Sequence, residues 1–196
     1  MKGADTTRQG RAKNPSKFLR LAYLGVIAVG GLAGWSAMAT TEQVAFPFDY
    51  ARRFFIYNRI EHPNQSPPVV RILYVNKETK DSSEPGKPVP YKTLLVMEER
   101  KALVDTATGK AILDAYGRMR LTDEISNVFV MAKRPGLGAS YPPAKRNGEW
   151  EYAWFSADGT RVQGKSMDDC FACHKNREAS DFNFTFSKWV LDSKKR

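Results

Sequence analysis

Residues 21–40 (LAYLGVIAVGGLAGWSAMAT) hold no charged side chain, and this run divides the chain before any other feature is read. Its length is about what a helix needs to cross the hydrocarbon core of a bilayer. Ahead of it, residues 1–20 carry Lys2, Arg8, Arg11, Lys13, Lys17 and Arg20 against Asp5 alone. Basic residues placed before an apolar run keep that end in the cytoplasm. Residues 41–196 are therefore expected beyond the inner membrane, in a bacterial periplasm. Two readings fit the run itself. It is an uncleaved transmembrane anchor, or it is a signal peptide whose small-x-small cleavage site is Ala37-Met38-Ala39. No second long apolar run follows, so 41–196 reads as one soluble domain.

The formal net charge of +10 suggests nucleic acid, but its distribution argues against that. Half of the excess lies ahead of the apolar run, where charge sets topology. Residues 41–196 carry 25 basic and 20 acidic side chains, spread thinly. No nucleic-acid partner is expected. A hydrophobic share of 42% excludes a disordered chain, and two cysteines are too few for a disulfide scaffold.

Within the domain, 63–68 and 82–88 read as loops from their proline, serine and glycine content. Asp49 is expected to cap a short helix reaching Tyr57, with Arg53, Phe54 and Tyr57 at turn spacing. Strands are expected over Val69–Asn76, Thr93–Glu98, Asn127–Lys133 and Trp150–Ser156. Asp158-Gly159 marks a tight turn. Ser166 reads as the cap of a helix with Asp168 and Asp169 in its first turn. Phe182–Phe186 reads as a strand with Phe182, Phe184 and Phe186 on one face. The fold class is α+β: a mainly antiparallel sheet with a few short helices, preceded by one N-terminal apolar helix.

Cys170-Phe171-Ala172-Cys173-His174 is C-x-x-C-H, the attachment signature of a c-type haem. On one helical turn, thiols three residues apart reach the two vinyl groups of a haem and form thioethers. His174 then supplies an imidazole nitrogen to the iron. Both cysteines of the chain lie in this motif. The export signal fits, because such haem is attached outside the cytoplasm. Two other readings of C-x-x-C are weaker. A redox dithiol wants a βαβ setting, and a zinc site wants more ligands than His62 can add. One haem c is the expected cofactor, with His174 as its metal ligand.

The stretch Cys170–Phe186 resembles the C-terminal signature of the cytochrome P-460 family, whose other branch is cytochrome c′-beta. Two upstream strands, Val70–Asn76 and Thr93–Glu98, resemble that family's Arg-x-(Ile/Val)-Tyr-Val-(Asn/Asp) and Thr-Val-x-Val-Lys-Glu strands. The resemblance implies a β-rich domain, usually a homodimer. In catalytic members the lysine of the second strand is cross-linked to the haem, and those members oxidise hydroxylamine. Here Met97 stands at that position, and a thioether cannot replace the amine. Lys92 has the wrong parity to share a strand face with Met97, and Lys101 is expected past the strand end. The uncross-linked branch, with a five-coordinate haem and an apolar distal side that binds NO or CO, is the closer analogue.

No catalytic residue is assigned. Met97 is expected to pack against the haem or in the core as a flexible apolar filler, with a sharper role open to it as sixth ligand in a His/Met electron-transfer site. That alternative is an electron carrier tethered beside a membrane respiratory or photosynthetic complex, with a redox protein as partner. A second alternative is a hydroxylamine or NO oxidoreductase. His62 is expected exposed in a loop. Glu99 shares the face of Met97 but is expected to be solvated at the strand end.

Overall fold

The computed structural model describes residues 44–195. The expected anchor or signal at 21–40 and its cleavage site lie outside the described residues. Among the described residues, no helix is long and apolar enough to cross a membrane.

Five strands form one antiparallel sheet in simple sequential order. They are β1 (Phe55–His62), β2 (Val69–Val75), β3 (Thr93–Ala102), β4 (Leu121–Lys133) and β5 (Trp150–Phe155). Four short helices accompany it: α1 (Tyr50–Arg53), α2 (Lys77–Ser82), α3 (Asp168–Lys175) and α4 (Phe186–Ser193). The class is α+β, as expected.

Alternation along the strands sends side chains to two different cores. On the first face, Leu73, Val75, Leu95, Trp150 and Tyr152 pack with Phe171 of α3 and with Phe182, Phe186 and Val190 from the C-terminal segment. On the second face, Tyr74, Val96, Val128, Val130, Ala132, Ala153 and Phe155 pack with Val44 and Tyr50.

Three expectations are corrected. The helix from Asp49 ends at Arg53, and Asp49 makes no side-chain cap bond. Phe54 onward is extended because bulky Phe55 and β-branched Ile56 pair with β2 as an edge strand, with Tyr57 at a bulge before pairing resumes at Asn58. Phe182–Phe186 is not a strand. Asp181 and Phe182 both have positive φ, which breaks an extended run, and Phe186 begins α4. Phe182 and Phe186 are buried while Phe184 is exposed, so the three do not share a face. Finally, β3 and β4 run longer than their apolar cores suggested. Charged Glu99, Arg100 and Lys101 extend β3, each with a polar partner that tolerates its position.

The tight turn at Asp158-Gly159 is present, with Gly159 at φ 86° and Asp158 bonded to Ser156 and Thr160. Helix α3 opens with Asp168 and Asp169 as expected, but its cap position is Met167 rather than Ser166, whose Oγ accepts the Asp168 N–H just ahead of it.

Candidate functional site

Cys170, Cys173 and His174 all lie on α3. Cys170 is half-buried against the first-face core, and Cys173 is exposed. Both thiols are free. Burial, reinforced by Asp169, pushes the Cys170 thiol up from its ordinary range. A redox dithiol needs the opposite shift, so this environment disfavours that reading.

The His174 imidazole is held on three sides. Its Nδ1 lies 2.7 Å from the carbonyl oxygen of Phe182. A carbonyl only accepts, so Nδ1 carries the proton and Nε2 presents a lone pair. The ring of Tyr152 sits 4.9 Å from the imidazole, and that of Phe184 lies edge-on at 4.9 Å. Burial lowers the affinity of His174 for a second proton, and the Phe182 bond offsets this only in part. A neutral imidazole with one nitrogen fixed and the other free is the form that ligates a metal.

Met97 lies mid-β3 on the same face of the sheet as α3, and it packs on the core cluster that Cys170 also joins. Its row reads Leu73, Met97, Phe129, Trp154 across four strands. Met97, Phe129 and Trp154 are half-buried, and the Phe129 and Trp154 rings are 5.3 Å apart. This is a flat apolar surface beside the helix that carries the thiols.

The next row is polar. Arg71, Glu99 and Asn127 stand opposite one another. Glu99 accepts hydrogen bonds from Arg71 Nε and Asn127 Nδ2, each at 3.0 Å. Trp154 Nε1 donates to Asn127 Oδ1 at 2.8 Å. Glu99 is thus inside the strand and largely buried, with side-chain exposure of 13%, which corrects the solvated reading. The reason is Arg71, a cross-strand cation that neutralises it. Glu98 points the other way and is fully buried between Tyr50 and Arg100. Lys101 is also within β3, four residues from Met97, and is bound to Glu124.

Two features were not read from the sequence. Ser126 is the extra residue of a bulge in β4, because Glu99 faces Asn127 while Arg100 faces Ile125. That bulge turns Ser126 toward a cleft lined by Val69, Glu99 and Lys101. His62 is the last residue of β1 rather than an exposed loop histidine. It is half-buried, and its Nε2 is buried without a hydrogen-bond partner. Pairing with Val69 holds it there. Among the described residues, no group of three or more His, Cys, Asp and Glu is placed to hold a metal ion on its own.

The donor set suits a haem. Two free thiols occupy one helical turn, and the adjacent imidazole has its outer nitrogen fixed by a carbonyl. A flat apolar row lies on the neighbouring sheet face. The cytochrome P460 family model matches residues 47–185, well over half of the chain, and the chain belongs to that family. The family implies a haem cofactor. No curated protein matches the chain.

Proposed function

We propose that the domain is an exported mono-haem c protein that binds NO or CO at an open iron position, without oxidising hydroxylamine. Cys170 and Cys173 would hold the haem by thioethers, and His174 Nε2 would be its axial ligand. A haem so held supplies a metal able to bind a diatomic gas. The observation that carries the gas-binding reading is the row Leu73–Met97–Phe129–Trp154. Where the catalytic family pattern has an amine, this chain presents a thioether in an apolar row. An apolar surface disfavours charged or polar substrates and suits a small neutral gas. The basic segment at 1–20 and the apolar run at 21–40 support a periplasmic location, with the N-terminus cytoplasmic if the run is retained.

The same row supports one competing reading. Met97 is half-buried on the helix side of the sheet, and a sulfur there suits a sixth ligand in an electron carrier. Absorption spectra of the purified protein, ferric and ferrous, with and without CO, separate the two. A high-spin ferrous spectrum that shifts with CO is expected. A low-spin spectrum indifferent to CO would replace gas binding with electron transfer. A strongly red-shifted Soret band would show a haem cross-link despite Met97.

A further inference from the structure

The carbonyl that orients His174 belongs to a backbone corner that is tied locally, with the Asp181 N–H donating to the Glu178 carbonyl at 2.9 Å and the Phe182 N–H to the Arg177 carbonyl at 2.8 Å. Asp181 and Phe182 are consecutive left-handed residues, at φ 52° and 58°. That region is unfavourable for any side chain with a Cβ, and least suited to a bulky one such as Phe. Such conformations persist only where surrounding contacts over-determine them.

Here the side-chain contacts that add to those local bonds come from a distant strand. Lys133, the last residue of β4, is buried. Its Nζ donates to Asp181 Oδ2 at 2.6 Å and to the Val89 carbonyl at 2.7 Å. The ammonium also lies over the Trp150 and Tyr91 rings, at 5.7 and 5.6 Å. Asp181 Oδ2 accepts the Val89 N–H at 2.7 Å, and Trp150 Nε1 approaches Asp181 Oδ1 at 3.4 Å. A buried lysine with a full set of partners is a deliberate feature, because an unpaired one would be strongly penalised. On the other side of the corner, the Phe182 ring is buried and lies against Gly148. A Cβ added at Gly148 would sit 3.0 Å from that ring. The corner is thus clamped at Asp181 by charge and at Phe182 by packing. Between the clamps, the Phe182 carbonyl points at His174 Nδ1.

We infer that Lys133 and Asp181 are positioning residues for the axial ligand. Through the Asp181–Phe182 corner they fix the carbonyl that accepts the His174 Nδ1 proton. A strong acceptor on Nδ1 makes the imidazole a better electron donor and favours ferric over ferrous iron. Lys133 would therefore tune the reduction potential through the corner rather than by a bond to His174. The inference rests on the haem reading given above.

The test compares wild-type holoprotein with Lys133→Met, Lys133→Arg and Asp181→Asn. Four quantities are measured: covalent haem content, midpoint potential, the iron–histidine stretching frequency of the ferrous form, and thermal stability. Lys133→Met and Asp181→Asn are expected to raise the potential and lower the frequency. Lys133→Arg, which keeps the charge, is expected to stay near wild type. A fall in stability with potential and frequency unmoved, in whichever variants retain haem, would reduce the pair to a structural role and overturn the inference. Asp181→Asn preserves size and shape, so it decides the matter if Lys133→Met fails to fold. Absence of covalent haem from the wild-type protein would overturn the haem reading instead, and the haem assay shows that separately.

Discussion

The two faces of the sheet are built to different rules. The second face is closed. Val96, Val128, Val130, Ala132 and Ala153 are small or β-branched, almost fully buried, and capped by Val44, Tyr50 and Phe155. Its fully buried carboxylate, Glu98, is bonded to Tyr50 and Arg100. The first face is closed only where the C-terminal segment lies on it. Beyond that, Ile60, Met97, Phe129 and Trp154 are half-buried, and the Arg71–Glu99–Asn127 row follows. The second face is core throughout, whereas the first combines a core under the C-terminal segment with the half-buried row assigned above to the proposed haem. Substitutions should therefore separate into those that change unfolding and those that change the chromophore.

The largest effect is expected where the first face meets α3. Replacing Cys170 and Cys173 together by Ala should abolish covalent haem altogether, as read by haem staining after denaturing electrophoresis. The second face does not contact α3, so the folded sheet should persist. Covalent haem in that variant would end the c-type assignment.

A matched pair of truncations tests the division directly. Phe155→Ala opens a cavity in the closed face and should cost roughly 3–5 kcal/mol in denaturant unfolding. The haem spectrum should not change. Met97→Ala removes a half-buried flexible side chain and should cost less, about 1–2 kcal/mol. The spectrum should remain high-spin, with CO affinity altered several-fold. Loss of a low-spin component in Met97→Ala would make Met97 a ligand. A spectral change in Phe155→Ala would mean the two faces are not independent.

Much of the fold was legible in the sequence, and the gaps have physical causes. The cores of β2, β3, β4 and β5 announced themselves by apolar and β-branched runs, and the C-x-x-C-H spacing supplies the candidate site. What failed was local reading of residues whose state is set elsewhere. Phe55 and Ile56 show no strand alternation with their neighbours and are extended because β2 offers a partner. Glu99 reads as solvated until Arg71 is found opposite it, 28 residues away in sequence. Phe182–Phe186 alternates like a strand, yet the Lys133–Asp181 pair clamps a left-handed corner into it. Lys133 ends an expected strand, and nothing near it in the sequence marks it as buried. Only burial shows that it needs a carboxylate. Ser126 was silent because a bulge leaves no mark in a run of polar residues.

The closed face has one imperfection, and it gives the smallest predicted effect. Glu151 projects to the same side as Ala153, is buried, and has an Oε2 with no hydrogen-bond partner. Burial pushes its carboxyl above the ordinary 4.5, opposed by Arg161 and Arg134 and by the Tyr141 hydroxyl. A carboxyl with a raised folded value binds its proton more tightly in the native state than in the unfolded one. Its favourable contribution is present below pH 4.5 and is lost as pH rises through the folded value. Wild type therefore carries a penalty at neutral pH that an amide does not. Glu151→Gln should be more stable than wild type at pH 7, by less than about 1 kcal/mol given the neighbouring arginines and partial solvent screening. The advantage should shrink on acidification and vanish below pH 4.5. Unfolding midpoints of the two proteins across that range provide the measurement. A difference independent of pH would place the effect in packing rather than charge.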